Sequence, residues 1–280
     1  MIRQYWHFLC LTMVVAACTT APSDLSHPMA SPVAYARAEI RKSSLPAPTP
    51  TLPPIEGEIT DEVLLNLMFP GSLVDFANGK ALLRTENDIS LDVARVLLNR
   101  AIRVNGAEKR FVIVERSRGE CHACHAEISG ILLTRTGTSW TVESLSPQLL
   151  TRGTFGHVFG ADFIEIGSEY YGALIESGAS YHGYYGSGID VIALIGSDFE
   201  HVFNGDKSRG ADRSVNRREC VAWRQGCLWG YDSTVSFMPG VNAEFYDLHI
   251  DQSGTNPGGY EFSTSQTYVM LNGRYVFQSR

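Results

Sequence analysis

Between positions 121 and 125 the chain reads Cys-His-Ala-Cys-His, the densest group of chemically competent side chains in its 280 residues. Two thiols at this spacing can add across the vinyl groups of a haem while the next histidine takes the iron, and Cys121, Cys124 and His125 stand in that order. The same pair can cycle between dithiol and disulfide, which needs one thiol activated, commonly at a helix N-terminus. With His122 and His125 it can also offer donors to zinc, although ligands crowded into one pentapeptide suit a tetrahedral site poorly and no second Cys-x-x-Cys completes it. The plainest chemistry is a local Cys121–Cys124 disulfide in a tight turn whose histidines face solvent. The sequence favours that reading. A strand precedes the pentapeptide, Ser129-Gly130 interrupts any helix after it, and nothing selects a second iron ligand among Met238, Met270, His157 and His182. Farther along, Cys220 and Cys227 bracket Val-Ala-Trp-Arg-Gln-Gly, a loop that a disulfide between adjacent strands would close.

A second constellation is aromatic. Tyr170, Tyr171, Tyr181, Tyr184 and Tyr185 are five of the 12 tyrosines, and Gly178, Gly183, Gly186 and Gly188 stand among or beside them. Tyrosine gives a large contact area at small entropy cost, so Tyr170, Tyr171, His182, Tyr184 and Tyr185 are the candidate partner-binding residues, against the alternative of rings packing across a hairpin. No set of catalytic residues or metal ligands is assigned. The chain has no Gly-x-Ser-x-Gly, His-Glu-x-x-His or glycine-rich phosphate loop. Glu115 and Glu127 form a carboxylate pair only if the fold sets their separation. The stretches 204–212 and 251–259 read as polar loops, the first failing the calcium-loop pattern through Lys207 and Arg209.

The residues that place these groups in a compartment lie at the N-terminus. Arg3, an apolar run from Phe8 to Ala17 and then Val15-Ala16-Ala17-Cys18 resemble a bacterial lipoprotein signal peptide. The resemblance implies cleavage before Cys18, diacylglycerol on its sulfur and a further acyl chain on the new amino group, giving a stable anchor in a lipid bilayer. Thr19 and Thr20 follow without an Asp, which by the same resemblance implies the outer membrane, with the folded part facing the periplasm. Eight of the 12 prolines then fall between residues 19 and 55, a composition that cannot form a core and reads as a disordered tether.

Charge narrows the partners. Four of the 23 basic and two of the 30 acidic residues precede Glu56, so the remainder carries a formal charge of −9. That argues against nucleic acid and for a basic protein partner.

The elements that must hold these groups begin with two predicted helices. Thr60 caps Asp61-Glu62 ahead of an apolar stripe at Val63, Leu64, Leu67 and Met68, and Pro70 ends it. A second opens near Ser90, with Leu91, Ala94, Leu97, Leu98 and Ala101 at helical spacing. From Arg110 the period changes to alternating strands joined at Thr136-Gly137, Gly167-Ser168, Gly196-Ser197 and Asn272-Gly273, all hairpin signals. The fold expected is mainly β (α+β): two short N-terminal helices, then an antiparallel β-meander of repeated hairpins. The organisation expected is a signal peptide over 1–17, lipidated Cys18 and tether over 18–55, a helical segment over 56–109 and an antiparallel β domain over 110–280.

Val114-Glu115-Arg116, Cys121-His122-Ala123-Cys124, Gly130, Trp140, Gly167, Tyr171-Gly172, Glu176-Ser177-Gly178 and Gly183-Tyr184 resemble a group of exported proteobacterial proteins with a C-H-A-C motif. The resemblance spans roughly residues 110–200, and implies a mainly β exported protein. Many members lack the histidine matched by His125, which counts against haem. In layout the chain is also similar to periplasmic lipoproteins that neutralise toxins delivered by neighbouring bacteria. The function expected is therefore non-enzymatic protein binding, as an inhibitor or immunity protein against a basic toxin. The alternatives are a c-type haem electron carrier and a structural envelope lipoprotein.

Overall fold

The computed structural model describes residues 52–84, 91–119, 121–181, 183–211, 228–240 and 244–279. Among them runs one helix, α1 (Asp61–Met68), where Thr60 Oγ1 accepts the Val63 amide at 3.3 Å. The rest is strand. β1 (Ile55–Glu56), β2 (Leu73–Ala77), β3 (Lys80–Arg84), β4 (Leu91–Val104), β5 (Ala107–Ser117), β6 (Ala126–Thr136) and β7 (Ser139–Arg152) form a seven-stranded sheet in the order β1-β7-β6-β5-β4-β3-β2. β8 (Gly160–Gly167), β9 (Tyr170–Tyr181), β10 (Tyr184–Ile195), β11 (Asp198–Ala211), β12 (Trp229–Pro239), β13 (Tyr246–Thr255), β14 (Glu261–Leu271) and β15 (Arg274–Phe277) form an eight-stranded sheet in sequence order. Every pairing is antiparallel.

Two expectations are corrected. The second predicted helix is strand β4, and the single meander is two large sheets. β4 imitates a helix for a definable reason. Against β5, Val96 pairs with Val114 but Leu98 with Ile113, so Leu97 is an extra residue in the ladder. The bulge flips the alternation, so the strand buries one face before it and the opposite face after it, and apolar residues fall three and four apart. Ala94 faces α1, whereas Leu98 and Ile102 face the other sheet. The stretches read as polar loops are also largely strand, since β11 runs to Ala211 and β13 to Thr255.

Three cores follow from this layering. In β5, residues 111 to 115 are all buried, as in a strand covered on both sides. Phe111 and Ile113 meet Ile175, Ile192, Leu194 and Phe199 between the sheets, while Val112 and Val114 meet Leu64, Leu65 and Trp140 under α1. Each fully buried side chain of this size contributes about 1.5–3 kcal/mol. Gly130 makes room in the shared core, since a Cβ there would stand 2.7 Å from the Phe199 ring. The third core lies on the far face of the second sheet. That sheet folds over on itself: Phe203 of β11 meets Tyr268 of β14 and Tyr275 of β15, and Gly167 bridges Phe245. β11 and β12 stay paired only over Arg209 to Ala211, which permits the bend.

The tight turns sit where Asn-Gly dictates. Asn105-Gly106 and Asn272-Gly273 both take positive φ at both residues, the geometry that matches strand twist in a two-residue hairpin. They mark one end of the first sheet and the final hairpin. The connections after β5 and β7, residues 118–125 and 153–159, meet at the other end.

Candidate binding surface

At that loop end the Cys121–Cys124 disulfide is formed, with Cα atoms 4.9 Å apart. The Cys124 amide donates to the Cys121 carbonyl at 2.9 Å, closing a tight turn. The turn is docked onto the β7–β8 connection: the Gly156 amide donates to the Cys124 carbonyl at 2.8 Å, and His125 Nδ1 lies 2.7 Å from the Gly153 carbonyl. His122 meets the Phe155 ring edge-on at 5.1 Å. Cys121, His122 and His125 are exposed and Cys124 is half-buried. Both thiols that would join haem or zinc are bonded to each other. Of the second-ligand candidates, His157 is held by Glu115, Met270 is buried in the third core and Met238 is exposed on β12.

Beneath the loops lie two buried carboxylates. Glu115 receives Arg95 through two bonds of 3.2 and 3.1 Å, His157 Nδ1 at 2.7 Å and the Val158 amide at 3.2 Å. It thereby ties the β7–β8 connection to the first sheet. Asp190 of β10 receives Arg152 of β7 at 2.8 and 3.0 Å and Asn204 at 3.0 Å, an ion pair that crosses between the sheets. His201 Nε2 lies 2.7 Å from Asp190 Oδ1. Burial pushes the Asp190 pKa up, but His201 and Arg152 outweigh it and hold the carboxyl below its ordinary value. Glu115 and Glu127 do not form a working pair. Glu127 stands opposite Arg116 in the β5–β6 register, so it faces away from Glu115 and pairs with Arg116 and Arg118.

The surface above these anchors is aromatic. Phe155, Phe159, Tyr184, Tyr185 and Leu228 are all exposed, Phe159 by 64% and Tyr185 by 42%. Three recesses meet at Tyr185. One of about 300 Å³ lies between Phe155, Phe159, Gly178 and Ser208; a second of about 420 Å³ is bordered by Tyr184, Gly186, Asp206 and Arg209. The third, about 650 Å³, is lined by Trp229, Tyr231, Asp232, Ser253 and Thr255. Tyr185 lines all three. Its ring lies over Gly210, its partner in the β10–β11 register, and a Cβ at Gly230 would stand 2.5 Å from its hydroxyl. Two glycines on neighbouring strands thus form the bed of the ring and fix its height. Thr154 Oγ1 donates to the Gly178 carbonyl at 2.9 Å and the Phe159 amide to the Glu176 carbonyl at 2.8 Å, which seats the phenylalanines beside it.

Tyr184 and Tyr185 therefore belong to this surface, and Tyr170 and Tyr171 stand at the opposite end of β9. Tyr170 donates to Glu244 at 2.5 Å, which with burial holds its phenol pKa up, and its ring meets Phe245 at a tilt, with centroids 4.2 Å apart. Tyr171 stacks on Phe163 at 5.6 Å and donates to the Arg103 carbonyl at 3.3 Å. Both are packing residues. His182, Cys18 and the Cys220–Cys227 pair lie outside the described residues. Phe155 and Phe159 escaped the sequence reading, although Phe155-Gly156 and Phe159-Gly160 repeat an aromatic-glycine step that marks an exposed loop.

No family model, curated protein or solved structure matches the chain. Among the described residues, no helix is long and apolar enough to cross a membrane.

Proposed function

We propose that this chain is a lipid-anchored periplasmic binding protein that captures a basic protein partner on its aromatic loop end, as an inhibitor or immunity factor would. The observation that carries the reading is Tyr185, an exposed ring on a glycine bed at the junction of three recesses. Rigid aromatic anchors of this kind dominate binding energy at protein interfaces. The formal charge of −9 after the tether supports a basic partner, since opposite charge accelerates encounter. Anchoring at Cys18 in the outer membrane, with a proline-rich tether behind the folded part, would give the surface reach across the periplasm.

The test is capture by the full chain in detergent, compared with a Tyr184→Ala, Tyr185→Ala variant. Loss of two central aromatic anchors is expected to weaken binding by about 2 kcal/mol or more, roughly 30-fold. Raised salt should slow association. A partner bound equally by both chains and at all salt concentrations would contradict the reading.

A further inference from the structure

The Cys121–Cys124 bond is a poor staple. Disulfide stabilisation grows with the length of chain closed, and this bond spans three positions of a turn that a backbone hydrogen bond already closes. The turn is held from outside as well, by the Gly156 amide on the Cys124 carbonyl and by His125 on the Gly153 carbonyl. None of these contacts uses a sulfur, so opening the S–S bond does not itself break any of them. Access is also unequal: Cys121 is exposed and Cys124 half-buried. An incoming thiolate reaches the Cys121 sulfur first, which makes Cys124 the leaving group.

We infer that this pair is a thiol–disulfide exchange site whose substrates are cysteine thiols, with Cys121 as the attacked sulfur and Cys124 as the resolving one. A substrate thiolate forms a bond to Cys121 Sγ and the Cys121–Cys124 bond breaks. Cys124 leaves as thiolate and takes a proton from water. A second thiolate on the substrate then attacks its own sulfur in the mixed disulfide and releases the Cys121 thiolate. The substrate has lost two electrons as a disulfide, and the Cys121/Cys124 pair has gained them as a dithiol. Phe155 borders the site, its ring against His122, so a protein seated on the aromatic surface would present its cysteines here; that choice of substrate rests on the binding role proposed above, and the exchange chemistry does not.

The probe is glutathione. The full chain is equilibrated natively at graded ratios of reduced to oxidised glutathione, quenched in acid and alkylated, and the peptide containing residues 121–124 is weighed. We expect it to pass from no alkyl groups to two within the range of ratios that thiol oxidoreductases sense. Oxidised glutathione should load Cys121 of reduced Cys124→Ser at least about tenfold faster than Cys124 of reduced Cys121→Ser. A peptide that stays unalkylated in excess reduced glutathione overturns the proposal, and so do equal loading rates in the two variants. The first arm uses the natural chain and stands even where a variant fails to fold. Exchange with glutathione involves no protein partner and does not call on the aromatic surface, so failure of the capture reading and failure of this one are separable.

Discussion

Asp190 illustrates how single residues hold the two sheets together. Burial alone would favour its neutral form, but Arg152 from the facing sheet and His201 from the next strand keep it ionised below its ordinary value of 3.8. The sign of the pH effect follows. A carboxyl with a depressed folded-state pKa adds stability that is complete above its unfolded value and is lost as pH falls through the folded one. Asp190→Asn is expected to cost about 3 kcal/mol near neutral pH, the low end for a broken buried pair because Arg152 keeps part of its surface in water. Urea unfolding followed into acid should show that the variant has lost the corresponding part of the wild-type decline. An unchanged midpoint and slope would mean that Arg152 and His201 contribute nothing here. Such a pair was not legible beforehand, because the partners lie 38 residues apart on strands of different sheets.

At the scale of elements, Gly130 and Phe199 make a paired prediction. Gly130→Ala puts a Cβ 2.7 Å from the Phe199 ring and should cost about 1–3 kcal/mol by overpacking. Phe199→Leu in the same chain relieves the contact, so the double variant should be more stable than the sum of the two losses implies. Strict additivity by thermal or urea unfolding would contradict the close approach of β6 and β11. What the sequence made legible at this scale was local. Thr60 with Asp61 and Glu62 announced α1, and Asn105-Gly106 and Asn272-Gly273 announced their turns, because capping and positive φ act within four residues. β4 imitates a helix because its bulge at Leu97 switches which face is buried. The division into two sheets was likewise hidden, since hairpin signals give neighbours along the chain and not which faces pack. The proposed binding surface was half legible: Tyr184 and Tyr185 stood out by their glycines, whereas Tyr170 and Tyr171 lie at the far end of a 12-residue strand. Phe155 and Phe159 join the tyrosines only because Glu115, Gly178 and Glu176 seat their loop.

At the scale of the whole molecule, the proposal places an anchor at one end of the chain and an aromatic surface on the loop end of the fold. Cys18→Ser should move the chain from the membrane fraction to the soluble fraction of broken cells, and unchanged sedimentation would remove the anchor from the proposal. The central claim is that the loop end meets a protein. It is tested most directly by placing a photo-crosslinking phenylalanine derivative at Tyr184 in the full chain and irradiating living cells. A control chain carries the same group at Leu271, exposed on β14. We expect a discrete adduct with one basic protein from position 184, absent from position 271 and lost when Tyr185 is also changed to Ala. No adduct at 184, or the same adduct from both positions, would contradict the assignment of this surface.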